Sequence, residues 1–321
     1  MRAILCRGFG DEDVLYLGDT TAPSMGPDDL RIRVAATAVN RADLYQREGS
    51  YPPPPGASDI LGLECSGVVL KAGANVEGWR PGDRVMALLP GGGYAEDVVV
   101  HAGSAMHVPD ALSDEEAAAM PEVFLTAFLN IFELARAREG ESVLIHGGGS
   151  GVGTAATTLC KRAGMRVLVT ARSDEKCRRC VEHGADAAIN YRTEDFAERA
   201  RGVDVILDHL GATYLPRDLD AVAVGGRIVL IGSMGGEREA SVNVGKLLMK
   251  RVQIIGSVLR ARPAVEKGAL VRSFLARFGD DLAAGRIRPV VHTVLPLEQA
   301  ADAHRLMATS EHFGKIVLRV S

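Results

Sequence analysis

The chain has 321 residues, which is enough for about two domains with a buried core. Hydrophobic residues make up 47% of it and charged residues 24%, a composition that favours neither a disordered nor a fibrous chain. Its 37 basic and 41 acidic side chains give a net charge of −4, which argues against nucleic acid or an anionic membrane surface as a partner.

Targeting and cross-linking signals are missing from the sequence. No apolar run is long enough to span a bilayer, and the first residues do not have the pattern of a signal peptide. The five cysteines are scattered and odd in number, unlike a disulfide framework. We therefore expect a protein of the reducing cytoplasm.

The first 120 residues predict a β-rich domain. Alternating or apolar runs at 30–36 and 83–89 are separated by turns rich in glycine and proline. This texture favours a compact barrel or half-barrel.

From about residue 142 the pattern changes to strands that alternate with helices, one of them predicted over 193–201. Six apolar segments are predicted as strands: 142–146, 166–171, 187–191, 203–210, 225–233 and 252–259. Such alternation predicts a doubly wound parallel sheet of the dinucleotide-binding type. After residue 260 come an amphipathic helix, a short strand, a helix and a last strand. This segment is too small to stand alone, so we expect it to pack on the first domain.

The strongest chemical signal is the glycine-rich loop between the first of these strands and the following helix. Gly151-x-Gly153-x-x-Ala156 matches the G-x-G-x-x-A pattern in a strand–turn–helix context. Such glycines let backbone N–H groups approach a pyrophosphate at the helix N-terminus. The alternative is a glycine-rich turn with a purely structural role.

The end of the second strand indicates which dinucleotide is preferred. An NAD site usually has an acidic residue about 20 positions after the loop, but position 171 is alanine, followed by Arg172, Ser173 and Lys176. Cations and hydroxyls suit the 2′-phosphate of NADPH. The alternative for Arg172 and Lys176 is an ordinary solvated surface.

Several further motifs resemble the zinc-free quinone oxidoreductase branch of the medium-chain dehydrogenase/reductase superfamily, most closely its stress-inducible NADPH quinone oxidoreductase group. These motifs span nearly the whole chain, at 40–43, 51–56, 61–67, 82–85, 125–128 and 314–318. The resemblance implies an α/β protein with two domains. A GroES-like β-barrel catalytic domain would be formed by 1–122 and 260–321, and a Rossmann NADPH-binding domain by 123–259.

The ligands of zinc-dependent relatives are not reproduced. Those enzymes use a cysteine, a Gly-His-Glu histidine and a further cysteine or acid, whereas this chain has Asn40 near the first position and Leu63 at the second. Leucine cannot bind a metal. The structural four-cysteine lobe is absent, and Cys177-x-x-Cys180 falls in a predicted helix without a second pair. We therefore expect no metal.

NADPH alone can reduce an acceptor that is already electrophilic. A quinone is the expected substrate, and a 2-alkenal or enone reduced at its C=C bond is the alternative. A third reading is a crystallin or RNA-binding role, as in some relatives, but the net charge and the 15 aromatic residues offer no basic, aromatic-rich surface for RNA.

The resemblance also implies the site residues. Tyr51, Asn40 and Ser150 are the catalytic candidates, and Tyr51 could instead only pack the proline-rich loop. Asp43 is interpreted as a cap of local backbone N–H groups, and no histidine is assigned a catalytic role. A homodimer paired through the edge strand 252–259 is also implied. The cofactor-binding candidates are Asn40, Tyr51, Thr126, Ser150, Gly151, Val152, Arg172, Ser173, Lys176, Tyr191, Gly232, Ser233, Met234, Ser257, Leu259 and Lys315.

Overall fold

A computed structural model describes residues 1–320. The chain forms two compact units. The first comprises Met1–Leu125 together with the chain from Leu259 onward, and the second comprises Thr126–Val258. We call them unit 1 and unit 2.

The N-terminal part of unit 1 consists mostly of strands. They are β1 (Arg2–Cys6), β2 (Leu15–Asp19), β3 (Asp29–Val39), β4 (Glu64–Ala72), β5 (Arg84–Leu88), β6 (Asp97–His101) and β7 (Ala105–His107). The helices are α1 (Arg41–Arg47), α2 (Asp114–Ala118) and the first part of α3 (Pro121–Phe128). The end of α3, which continues as a π-helical turn over Leu129–Leu134, belongs to unit 2. The β-rich texture predicted for this region is therefore confirmed, although α1 was not predicted. Its N-cap is Asn40, and Asp43 in its first turn accepts the Asn40 backbone N–H at 2.8 Å.

Unit 2 contains a six-stranded sheet that is parallel throughout. Its strands are β8 (Ser142–Ile145), β9 (Arg166–Ala171), β10 (Ala187–Asn190), β11 (Val203–Asp208), β12 (Val222–Leu230) and β13 (Gln253–Gly256). Their spatial order is β10-β9-β8-β11-β12-β13, the order of a doubly wound dinucleotide fold. All six predicted strands and the parallel sheet are confirmed.

The helices of unit 2 are α4 (Gly151–Arg162), α5 (Asp174–Glu182), α6 (Phe196–Arg199), α7 (Leu215–Ala221) and α8 (Val244–Lys250). The prediction of a helix over 193–201 is wrong in extent, because α6 has only four residues. Asp195 caps α6 by accepting the Ala197 N–H at 2.9 Å, while Thr193 donates its N–H to Asn190 in the preceding turn. Buried aliphatic side chains and Phe196 fill the space between this part of the sheet and its helices.

The C-terminal part of unit 1 consists of α9 (Ala264–Ala283), β14 (Val291–Pro296), α10 (Ala300–Thr309) and β15 (Lys315–Arg319). β15 pairs antiparallel with β3, with Ile316 opposite Val39. The resulting seven-stranded sheet has the order β14-β15-β3-β4-β5-β7, and β6 also pairs with β3. This pairing brings Lys315 next to the residues that follow β3. Among residues 1–320, no helix is both long and apolar enough to cross a membrane.

Candidate functional site

The glycine-rich loop of unit 2 follows β8 directly. Gly147 has φ +65°, a conformation that favours glycine, and Gly148 donates its N–H to Thr170 on β9 at 2.9 Å. Ser150 is the N-cap of α4, and its Oγ accepts the Gly153 N–H at 3.0 Å. A Cβ on Gly153 would lie 2.3 Å from the Gly147 carbonyl oxygen. This close approach leaves room only for glycine.

The start of α4 leaves donors available for a ligand. Within residues 1–320, the backbone N–H groups of Gly151 and Val152 make no hydrogen bond to the protein. Unpaired N–H groups at the start of a helix attract anions, and the helix dipole adds to the attraction. The loop therefore fits a dinucleotide pyrophosphate.

Polar side chains gather where β9 and β10 end. Ser173 is the N-cap of α5 and accepts the Lys176 N–H at 3.3 Å, and Arg172 lies exposed immediately before it. Tyr191 follows β10 and donates its backbone N–H to Ala171 at 3.2 Å. Two neighbouring parallel strands thus bring together all four residues predicted for the adenosine end of the cofactor.

The carboxylate of Asp174, at this strand end, already accepts a hydrogen bond from the protein. Asp174 lies in the first turn of α5, and its Oδ1 accepts the Asn190 side-chain N–H at 2.7 Å. A carboxylate in the first turn also complements the helix dipole. Asp174 is therefore accounted for by the local structure of α5.

The remaining unit 2 candidates lie at the same edge of the sheet, except for one. Gly232, Ser233 and Met234 follow β12, and Met234 donates its N–H to the His209 carbonyl at 2.9 Å. Ser257 follows β13 and donates its N–H to Leu230 at 3.0 Å. Thr126 instead lies within α3, where its carbonyl accepts the Asn130 side chain at 2.7 Å.

A buried titratable cluster lies directly before the loop. His146 Nε2 is 2.9 Å from Asp218 Oδ1, and His146 Nδ1 is 3.1 Å from Thr170 Oγ1. Burial lowers the pKa of His146 to about 4, so the imidazole is neutral. Burial raises the pKa of both Asp218 and Asp208 to about 7, and the charge of Asp218 adds to the rise at Asp208. We call these residues the His146 cluster. It lies directly before the loop and supports it.

A second buried network lies in unit 1, at the ends of β3 and β15. Lys315 Nζ donates to Glu64 Oε1 at 2.7 Å, to Asn40 Oδ1 at 2.7 Å and to the Val39 carbonyl at 3.0 Å. Asn40 Nδ2 donates to Glu64 Oε1 at 2.9 Å. All three side chains are buried. We call this set the Lys315 network. All three ammonium hydrogens of Lys315 are bound inside the protein. The contact of Lys315 with a cofactor stays a prediction.

Asp43 lies beside this network and caps the start of α1. It accepts the backbone N–H of Gly62 at 3.0 Å, in addition to that of Asn40, and the Tyr94 hydroxyl at 3.3 Å. Complete burial raises its pKa to about 6, although these backbone hydrogen bonds oppose the rise. The interpretation of Asp43 as a backbone cap is confirmed.

Tyr51 is held by an arginine from the C-terminal part of unit 1. The Arg260 guanidinium carbon lies 5.3 Å from the centre of the Tyr51 ring. Arg260 is buried and donates to the Pro90 carbonyl at 2.8 Å and to Gln46 Oε1 at 2.6 Å. Burial raises the pKa of Tyr51, so its hydroxyl stays protonated and can donate. Leu259, next to Arg260, is a buried apolar residue.

Sequence reasoning missed Glu122, in the first turn of α3. Its backbone N–H donates to Glu64 Oε2 at 2.9 Å, which links it to the Lys315 network. Burial, followed by the nearby charge of Glu64, raises its pKa to about 8. In the sequence, a glutamate after a proline at a helix start is an ordinary first-turn acid, so no signal marks it.

Comparisons with known proteins match both units. An alcohol dehydrogenase GroES-like domain matches residues 26–110, and a zinc-binding dehydrogenase domain matches residues 183–318. The quinone oxidoreductase of Rattus norvegicus is 31% identical over 327 residues, covering 99% of this chain and 97% of the relative.

Solved structures agree in fold over essentially the whole chain. An NAD-dependent alcohol dehydrogenase has a TM-score of 0.87 at 34% identity, with all of both chains covered. The quinone oxidoreductase of Escherichia coli complexed with NADPH has a TM-score of 0.86 at 27% identity, again with all of both chains covered. The CurK enoyl reductase has a TM-score of 0.86 at 28% identity and covers 100% of this chain and 99% of its own.

Proposed function

Because this chain belongs to the quinone oxidoreductase branch of the medium-chain dehydrogenase/reductase superfamily, we propose that it reduces quinones with NADPH and without a metal ion. The oxidoreductase class follows from the family. The choice of NADPH rests above all on the two cations at the end of β9, Arg172 and Lys176. The choice of a quinone rests on the similarity to the quinone oxidoreductase of Rattus norvegicus.

The cofactor preference is supported by the side chains that meet at the ends of β9 and β10. Arg172, Ser173, Lys176 and Tyr191 offer two cations and two hydroxyls, and the adjacent Asp174 is bound to Asn190. A 2′-phosphate needs charge-assisted hydrogen bonds of this kind, whereas the ribose 2′-hydroxyl of NADH needs a carboxylate. The similar E. coli enzyme is complexed with NADPH. The similar alcohol dehydrogenase is NAD-dependent, so the fold alone does not decide the preference.

Metal-free reduction is supported by the Lys315 network. Glu64 is the only acid in the segment that aligns with the Gly-His-Glu motif of zinc enzymes, and its charge is neutralised by Lys315 at 2.7 Å. Leu63, next to it, is buried and has no ligand atom. An ammonium group therefore provides the positive charge that balances Glu64.

The reaction divides into binding of the dinucleotide by unit 2 and polarisation of the acceptor by unit 1. When bound, NADPH supplies a hydride to the acceptor. We infer that the loop N–H groups of Gly151 and Val152 bind the pyrophosphate and that Ser150 fixes the start of α4. The protonated Tyr51 hydroxyl donates a hydrogen bond to the quinone oxygen, on which negative charge develops. Asn40 is held rigidly by the Lys315 network and keeps one acceptor lone pair on Oδ1 for a donor of the ligand.

The test compares NADPH and NADH oxidation with 1,4-benzoquinone, 9,10-phenanthrenequinone and a 2-enal, all in the presence of EDTA. We expect turnover of the quinones with NADPH that EDTA does not change. Arg172→Ala should weaken NADPH binding by roughly tenfold, the loss of one charge-assisted hydrogen bond, and leave NADH binding unchanged. Arg178→Ala is the matched control, because Arg178 is exposed and pairs with Glu182 on the same helix. Equal use of both cofactors, or loss of activity in EDTA, would refute the proposal.

Reduction of an enal or enone at its C=C bond is the second candidate. The similarity to the CurK enoyl reductase favours it, and the same hydride donor and oxygen-binding hydroxyl would serve both substrates. Turnover confined to the 2-enal in the same panel would replace the quinone by this acceptor.

We also propose that the protein forms a homodimer through the free edge of β13. This strand ends the six-stranded sheet, and the apolar side chains of Leu248, Met249 and Val258 around it are 53% to 80% exposed. Such an edge invites pairing with a second strand. Light scattering should give about twice the 34.0 kDa mass of one chain, and a mass near that of a single chain would refute the dimer.

A further inference from the structure

Reduction by hydride leaves one proton to be supplied. Transfer of a hydride to a quinone or enone places two electrons and one hydrogen on the acceptor, and the resulting oxyanion or enolate needs H⁺ to become neutral. We propose that the Glu122 carboxyl gives this proton to the acceptor, with its O–H bond broken and a new O–H or C–H bond formed on the product. Glu122 is left as a carboxylate and regains a proton from water. This inference rests on the proposed function.

The position of Glu122 is fixed through its backbone. Its N–H donates to Glu64 Oε2 at 2.9 Å, and Glu64 is itself held by Lys315 and Asn40 through its other oxygen. Glu122 is thereby anchored in the first turn of α3 while its side chain stays half-buried. A backbone anchor leaves both carboxyl oxygens available.

The cations around Glu122 are already bound to other groups. Lys315 uses its three hydrogens in the Lys315 network, Lys267 donates to the Arg260 carbonyl at 2.7 Å, and Arg260 donates to Pro90 and Gln46. Within residues 1–320 the Glu122 side chain makes no hydrogen bond and no ion pair. Because Glu122 is half-buried, its carboxyl stays in contact with solvent and remains available to a ligand.

The charges that face Glu122 come from five parts of unit 1. Glu64 on β4 and Asp43 on α1 disfavour its ionised form, and Lys315 on β15 and Lys267 on α9 favour it. Burial has the largest effect, and together with the two acids it outweighs the two lysines, so the pKa of Glu122 rises to about 8. The remaining neighbours are Tyr51 and Arg260, whose pKa values respond to the Glu122 charge. The carboxyl is therefore protonated at pH 7.

Tyr51 and Glu122 suit two different tasks. The pKa of Tyr51 is raised from that of an ordinary phenol, so Tyr51 can hold an oxygen by a hydrogen bond but gives up its proton poorly near neutral pH. A group with a pKa near the working pH transfers protons best. Glu122 meets this condition, and its charge contributes to the raised pKa of the neighbouring Tyr51.

The alternative is that Glu122 only complements the dipole of α3. In that case its protonation would not affect turnover. Glu122→Gln separates the two roles, because the amide keeps the size of the side chain and the backbone N–H to Glu64 but cannot supply the proton.

The experiment measures quinone reduction by NADPH from pH 6 to 10 for the wild type, Glu122→Gln and Glu122→Asp. Glu77→Gln is the control, since Glu77 is exposed on the same unit. We expect kcat of the wild type to fall above about pH 8. Glu122→Gln should lower kcat on the order of 10²-fold, abolish that alkaline fall and leave NADPH binding unchanged. Glu122→Asp should recover part of the rate, and Glu77→Gln should match the wild type.

Infrared spectroscopy of the protein without cofactor gives an independent readout. The wild type should lose a protonated-carboxyl band between pH 7 and 9 that Glu122→Gln lacks, while bands of Asp43, Asp208 and Asp218 are common to both proteins. If Glu122→Gln fails to fold, the kcat of Glu122→Asp and the wild-type infrared titration still test whether Glu122 supplies the proton. Unchanged kcat and pH profile in Glu122→Gln, or no such band, would overturn the inference alone. Absence of wild-type turnover with any acceptor would instead refute the proposed function and, with it, any catalytic role for Glu122.

Discussion

Lys315→Met is the substitution for which the structure gives the largest expected loss of stability. It replaces an ammonium group by an apolar side chain of similar length and removes three hydrogen bonds, to Glu64, Asn40 and the Val39 carbonyl. Glu64 is completely buried, so its carboxylate would remain in the interior without its cation.

The magnitude follows from the partners that Glu64 retains. Breaking a buried ion pair by removing one partner costs about 3–5 kcal/mol. Glu64 keeps the Asn40 side-chain donor at 2.9 Å and the Glu122 N–H at 2.9 Å, which places the expected cost near the lower limit, at about 3 kcal/mol. At about 2–4 °C per kcal/mol for a unit of this size, the midpoint of thermal unfolding should fall by roughly 6–12 °C.

The assay uses the single tryptophan of the chain. Trp79 lies in unit 1 with its ring stacked on His107 at a centroid distance of 3.9 Å, so its fluorescence follows this unit. A local probe is needed because proteins with two units often unfold in more than one step. Lys71→Met, at an exposed position of β4, is the control and should stay within about 0.5 kcal/mol of the wild type.

A double substitution separates the buried charge from the lost packing. Glu64→Gln combined with Lys315→Met removes both charges, and it should be more stable than Lys315→Met alone, since no uncompensated carboxylate remains. A cost below about 1 kcal/mol for the single variant would match a surface ion pair and would refute the reasoning. A double variant less stable than the single one would also refute it.

Three further outcomes are expected. Gly153→Ala should abolish NADPH binding in a fluorescence titration, because its Cβ would lie 2.3 Å from the Gly147 carbonyl oxygen; retained affinity would contradict the loop geometry. Burial raises the pKa of Asp218 and Asp208 from 3.8 to about 7, so they stabilise unit 2 below pH 3.8 and this contribution is lost as the pH rises through 7. Asp218→Asn should flatten that decline in amide hydrogen exchange of unit 2 between pH 5 and 8, and an unchanged slope would argue against it. Burial also raises the pKa of the Cys65 thiol, so iodoacetamide should not modify it at pH 8 in the native protein, and rapid labelling would show otherwise.

Features that depend on local sequence were predictable. The strands of unit 2 are short apolar runs bounded by turns, and Gly151-x-Gly153-x-x-Ala156 lies between β8 and α4 as expected. The polar residues at the ends of β9 and β10 meet because neighbouring parallel strands end at the same edge. In each of these cases the chemistry and the position are specified by a few consecutive residues.

Features that depend on distant parts of the chain were not predictable. Glu64 and Lys315 are separated by most of the chain and meet only because β15 pairs with β3. His146 and Asp218 come together because α7 packs beside β8 in the folded unit. Glu122 resembles any first-turn acid until its anchor on Glu64 is known. The pKa of a carboxyl depends on such neighbours and on burial, neither of which a sequence pattern encodes.

The Lys315 network and Glu122 are coupled, and this coupling can be tested. The charge of Lys315 lowers the pKa of Glu122, whereas burial and the charge of Glu64 raise it by a larger amount. Lys315→Met would therefore move the pKa of Glu122 upward and shift the alkaline fall of kcat to higher pH, at a temperature where the variant is folded. Glu64→Gln would act in the opposite direction, because it removes the negative charge that disfavours ionised Glu122. Opposite shifts from two adjacent substitutions cannot arise from general loosening of unit 1, which would move both profiles alike. Shifts of the same sign would show that the alkaline limb belongs to another group.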